Sequence, residues 1–234
     1  MIERDPEPVW SYEDLGIMLG AVLPSLLIAA VAAKLLSYVV PQKGVVTAVS
    51  QMLIYLGVAG SLSFLLRVRY GLDFWTAMSW RVPWRGMAAT ALLGPALALG
   101  MALIAVGLNT TRETMALDAL TKDRWSMIAI GIAATTVGPV FEELIFRGFA
   151  QPLFVRSLGL VGGLVATALP FSLLHGPQYN WNWKLLLILT LASITFGFVR
   201  HRTGSTAASS LTHAAYNLTF MAGMILQGDA LNRT

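Results

Sequence analysis

The chain has 234 residues, 56% of them apolar and 12% charged, with no cysteine, and a mean hydropathy of +0.67. Soluble domains carry about 25% charged residues, so this composition excludes a water-soluble globule and predicts an all-α polytopic membrane bundle. The missing cysteine excludes disulfide scaffolds, cysteine nucleophiles and thiolate metal sites, and a net charge of +4 reads as a topology signal, not a nucleic-acid footprint.

The first fourteen residues are acidic, with Glu3, Asp5, Glu7, Glu13 and Asp14 against Arg4. A secretory signal opens with a basic region, so the first apolar run, Leu15 to Ala33, is expected to be retained, Pro24 included. Further runs cover Val45 to Leu66, Gly86 to Leu108, Trp125 to Ala150, Leu160 to His175, Trp183 to Val199 and Thr206 to Leu226. At about 20 residues per span these predict seven spans in one membrane domain, residues 1–234, with the chemistry in a core over residues 125–226. All seven tryptophans fall near span ends or in connections, as headgroup anchors do.

The connection after the second run holds Arg67, Arg69, Arg81 and Arg85, and the one before the last run holds Arg200 and Arg202. Positive loops stay inside, which predicts a cytoplasmic N-terminus in the cytoplasmic (inner) membrane. Phe74 to Arg85 mixes Trp and Arg in a pattern suited to the interface plane. Asn109-Thr110-Thr111 fits a glycosylation sequon, a match too short to carry weight by itself.

Ten of the twelve acidic residues lie at ends or in loops. The other two, Glu142 and Glu143, interrupt the fourth run in TTVGPVFEELIFRGFAQPLF, where a buried charge costs roughly 2.5 to 3.5 kcal/mol on insertion scales. Glu143 and Arg147 stand at i and i+4, the favourable order for a carboxylate and a guanidinium, so they form a neutralising pair. Glu142 points elsewhere and is left to act as a base. His201 lies between two arginines and reads as a solvated loop base. His175 and His213 belong to apolar runs, with Phe171 and Asn217 four residues away on their respective faces. A lone His in a bundle is ordinarily a hydrogen-bond bridge between helices; six such polar groups on three helices point to chemistry.

Glu142-Glu143-x-x-x-Arg147, Phe171-x-x-x-His175 and His213-x-x-x-Asn217 together resemble the three-motif signature of the CPBP family, the CAAX-protease and bacteriocin-processing intramembrane proteases, which include the type II CAAX prenyl endopeptidases. The resemblance covers about Trp125 to Leu226. It implies an intramembrane endopeptidase in which Glu142 and His175 activate water, His213 and Asn217 hold the oxyanion, and Glu143, Arg147 and Phe171 support the site. No cofactor is favoured, since no HExxH pair is present. Zinc held by Glu142, His175 and His213 stays open beside it. Implied partners are the lipid bilayer and a membrane-associated peptide or protein, prenylated or bacteriocin-like, and no nucleic acid. Two other classes stay in view: a proton carrier, which lacks support in the absence of inverted repeats, and a non-catalytic immunity or interaction protein.

Depth along the helices constrains this reading. At about 1.5 Å per residue, Glu142 lies roughly 12 Å from the inner end of a helix ending at Ala150, and His213 about 15 Å from Thr203. His175 lies about 24 Å from Gly159, or about 18 Å from Gly163 if Gly162-Gly163 begins the helix. Bringing His175 level with Glu142, nearer the cytoplasmic side, calls for the later start or strong tilt.

Overall fold

A computed structural model describes residues 8–82, 84, 86–110 and 120–231, with side chains as far as residue 226. Glu3, Asp5, Glu7, Glu113, Asp118 and Asp229, with Arg4, Arg85 and Thr111 of the sequon, are outside the described side chains.

Every regular element among the described residues is helical: α1 Tyr12–Leu36, α2 Lys43–Tyr70, α3 Phe74–Ala77, α4 Met87–Gly107, α5 Arg124–Ile132, α6 Gly138–Glu143, α7 Gln151–Leu174, α8 Trp183–Thr203 and α9 Thr206–Leu231. Two π-helical stretches, Ala133–Val137 and Leu144–Ala150, join α5 to α6 and α6 to α7 without a break. All seven apolar runs are therefore helical. Among the described residues, five elements are long and apolar enough to cross a membrane, with Arg124–Leu174 counted as one of 51 residues.

That long element is folded in two. Gly159 has φ 70° and ψ 176°, a conformation open only to glycine, and the chain doubles back there. The rings of Phe146 and Phe171 lie 5.2 Å apart, although a straight helix would separate them by about 37 Å at ~1.5 Å per residue. A Cβ on Gly163 would stand 2.5 Å from the backbone nitrogen of Val155, so Gly163 is where the two arms touch. The expected break at Gly162-Gly163, like the expected end at Ala150, is corrected: the descending arm runs on to Leu158, and Gly162 and Gly163 are helical.

Helix ends are fixed by short polar side chains that satisfy the first free N–H groups. Asp14 accepts from the backbone N–H of Ser11 (2.7 Å) and the hydroxyl of Tyr70 (2.6 Å), tying the start of α1 to the end of α2. Asp73 and Asp123 cap α3 and α5 by accepting from the N–H groups of Thr76 and Ser126, each at 2.9 Å. Their carboxyls are held below the usual carboxylate range, chiefly by the Thr76 N–H for Asp73 and by the Ser126 hydroxyl for Asp123.

The connections collect at two ends. At one, Arg156 donates to the carbonyl of Pro8 (2.9 Å), the Thr206 hydroxyl donates to that of Met78 (2.6 Å), and Ser205 donates to that of Arg81. This end therefore gathers the N-terminal segment, the α2–α4 connection, the Gly159 turn and the α8–α9 turn, with Arg67, Arg69, Arg81, Arg156, Arg200 and Arg202. At the other, Ser126 accepts from the N–H of Gly44 (3.0 Å) and Lys184 donates to the carbonyl of Leu108 (2.8 Å).

Three local expectations change. Trp10 is 5% exposed, stacks on Phe149 at 5.3 Å and donates its indole N–H to that residue's carbonyl (3.0 Å), so it is packed inside and is no headgroup anchor. His201 stands in the last turn of α8, not in a loop, and Arg200 is buried, its Nε donating to Thr206. The tail of the Phe74 to Arg85 segment is only partly interfacial: Trp75 and Trp84 are exposed, but Met78 is fully buried.

Candidate active site

The fold levels the two motifs that depth counting had left apart. Glu142 precedes Gly159 by 17 positions and His175 follows it by 16, so in a hairpin they stand at the same height. Arg147 and Phe171, each 12 positions from the turn, confirm the pairing: the guanidinium lies 4.7 Å from the centre of the Phe171 ring. Glu142 is about midway along its own arm. His175 caps the end of α7 away from the arginine-rich connections.

Glu143 and Arg147 are both fully buried and joined at 2.9 Å. Glu143 Oε1 also accepts from His213 Nδ1 at 3.0 Å, and Oε2 accepts from the Ser209 hydroxyl at 2.6 Å. Arg147 Nη2 donates to the Ser193 carbonyl (2.8 Å) and hydroxyl (2.6 Å). One carboxylate thus ties three helical segments together. Each of those bonds is charge-assisted and far from water, so removing a partner leaves a buried charge uncompensated.

Glu142 is treated differently. Its side chain is 14% exposed, and Oε1 accepts from the Tyr55 hydroxyl of α2 at 2.5 Å. Oε2 makes no hydrogen bond among the described residues. It faces His213 Nε2 across 3.9 Å, too far for direct bonding and suited to a shared water. Tyr179, in the turn after His175, feels the Glu142 charge: its phenol is pushed up to about 12, first by burial and then by that carboxylate.

The two histidines both carry hydrogen on Nδ1, given to different acceptors. A carbonyl only accepts, so His175 Nδ1, 2.7 Å from the Phe171 carbonyl, bears the hydrogen and Nε2 keeps a lone pair. A carboxylate likewise only accepts, so His213 Nδ1 bears a hydrogen toward Glu143. His213 stacks on Phe196 at 4.4 Å, and Phe171 packs against both imidazoles, 4.8 Å from His175 and 5.8 Å from His213. Asn217 donates to the carbonyl of Ala134 at 2.8 Å, inside the first π-helical stretch, where the widened turn frees a carbonyl. One amide N–H remains for other use.

Glu142, Glu143, Arg147, Phe171, His175 and His213 are linked by these contacts, with one difference from the sequence reading, and Asn217 stands one turn beyond His213 on α9. His213, not His175, is the imidazole facing Glu142, and no hydrogen bond or ion pair joins Glu142 to His175. Among the described residues no three His, Asp or Glu side chains stand together as metal ligands do, and Glu142, His175 and His213 form no such group.

Residues 124–219 match the family model of type II CAAX prenyl endopeptidase Rce1-like proteins. That segment is Rce1-like. It contains each of the three motifs and all of α5 to α8. No curated protein and no solved structure matches the chain. Tyr55, Gln51, Ser193, Ser209 and Tyr179 were not found by motif; of these, Gln51 and Tyr55 left a readable signal, two polar groups four residues apart on one face of an apolar run.

Proposed function

We propose that the chain hydrolyses a peptide bond of a membrane-associated protein or peptide, prenylated or bacteriocin-like, with Glu142 as the base. The observation that carries this reading is the contrast at Glu142: one oxygen is held, and the other is unbonded and open to a water beside an imidazole. In the cycle, Glu142 Oε2 takes a proton from that water while the His175 Nε2 lone pair accepts its second hydrogen. The hydroxide attacks the scissile carbonyl carbon, and the carbonyl oxygen becomes an oxyanion. His213 Nε2 and the remaining Asn217 N–H donate to it. With Nδ1–H already given to Glu143, His213 can donate from Nε2 only as an imidazolium, and Glu143 is the counter-charge that makes this form tolerable. Glu142 then returns its proton to the leaving amine. No step calls for a metal.

The test uses purified protein in liposomes with a prenylated peptide ending in a CAAX sequence, and compares the membrane peptidome of cells carrying wild type or Glu142→Gln. Products that appear with wild type and vanish with the variant support the reading. Equal cleavage by both, or no product in either arm, overturns it. Activity that is lost on chelation and restored by zinc would overturn the metal-free form of the mechanism.

A further inference from the structure

The Rce1-like segment begins at residue 124, yet the one side-chain hydrogen bond that Glu142 accepts among the described residues comes from outside it. Tyr55 is 8% exposed and its ring stacks on Phe141 at 5.4 Å, nearly parallel at 6°. Its hydroxyl donates to Glu142 Oε1 and accepts from Gln51 Nε2 at 2.6 Å. A carboxylate accepts only and an amide NH₂ donates only, so the series runs one way, Gln51 to Tyr55 to Glu142. A buried phenol is satisfied by a single acceptor. Here a second polar side chain, Gln51, one turn earlier on the same helix, donates to that hydroxyl, so its oxygen is engaged as well as its proton. The location is also specific. Gly44 and Ser126 pin the starts of α2 and α5 together, so α2 runs alongside the arm bearing Glu142 and delivers Tyr55 to its level.

We propose that Tyr55, supported by Gln51, is a positioning residue that holds Glu142 Oε1 and thereby aims Oε2 at the reacting water. The proposal rests on the reading of Glu142 as the base, and it assigns part of the active site to the second span. The Tyr55 bond holds one oxygen and so sets how the carboxylate turns about its terminal torsion; without it either oxygen can turn away from His213. Misplacement on this scale costs about ten- to a hundredfold in rate while leaving substrate contacts alone.

Two readouts test this. On the prenylated peptide, Tyr55→Phe keeps the ring stacked on Phe141 and should lower kcat about ten- to a hundredfold with KM unchanged, Gln51→Leu should lower kcat less, and Tyr55→Leu should resemble Tyr55→Phe in kcat while folding less well. Full kcat in folded Tyr55→Phe, or a loss confined to KM, overturns the proposal. The second readout needs no substrate: infrared difference spectra between each protein and its Glu142→Gln counterpart isolate the Glu142 carboxylate bands. Their splitting should change in Tyr55→Phe, because one oxygen loses its donor, and an unchanged splitting overturns the proposal even if the wild type cleaves nothing. In that last case the protease reading fails by itself, and the two failures stay distinct.

Discussion

The two sides of the fourth apolar run handle adjacent carboxylates in opposite ways. Toward α8 and α9, Glu143 meets Arg147, His213 and Ser209, and nothing of it reaches solvent. Toward α2, Glu142 meets a single phenol and keeps an oxygen free. Neighbours in sequence have thus been sorted into a structural ion and a reactive one by which helix each faces. A carboxylate with both oxygens engaged and a guanidinium bound to it is a poor base, whereas one with an open oxygen near a second acceptor can move a proton. In a dry bundle burial alone does not identify the reactive group; unspent hydrogen-bonding capacity does.

The comparison predicts effects of different kind and size. Glu142→Gln keeps shape but cannot accept a proton, and should cut cleavage by about 10² to 10⁴ with folded yield unchanged; cleavage at the wild-type rate would dissolve the distinction. On the other side, Arg147→Ala strands Glu143 and should cost about 3 to 5 kcal/mol of stability, read as lost folded protein in a detergent denaturation series, and normal folding would remove the ion from the structural role. Asn217→Ala should lower turnover by about 10² to 10³, the typical loss for one oxyanion donor, leaving a measurable residue in a normalised cleavage assay. The smallest effect lies away from both. Because folding lowers the affinity of Asp123 for a proton, its cap stabilises at neutral pH and the contribution is lost as pH falls below the ordinary carboxylate range. Asp123→Ala should therefore lower the thermal midpoint slightly at pH 7, and the gap between variant and wild type should close on acidification.

Much of this was legible in the sequence, and what was not has identifiable causes. Each apolar run became a helix because a bilayer solvent leaves the backbone no other partner, and the Glu143–Arg147 pair followed from helical spacing alone. The turn was misread because adjacent Gly162-Gly163 looks like a stronger helix breaker than a lone Gly159 between two leucines. What decides is the backbone angle that the turn requires, which composition does not display; the glycine pair instead serves close packing. Tyr55 was missed because an aromatic residue in an apolar run reads as core, and the polar Gln51 one turn earlier carries meaning only once a carboxylate is known to lie across from it. The partnering of His213 with Glu142 depends on how α9 rotates against the fourth run, whose two π-helical stretches are invisible in the residue pattern.

The hairpin at Gly159 acts as the zero mark of a ruler. Heights on its two arms are equal when the residue counts from the mark are equal, so the separation between the glutamate and histidine motifs is the sum of two arm lengths that must change together. Lengthening one arm by four residues would slide it by roughly 6 Å against the other and part Arg147 from Phe171. The same four residues added to both arms would keep every pair opposed and only move the site farther from the turn.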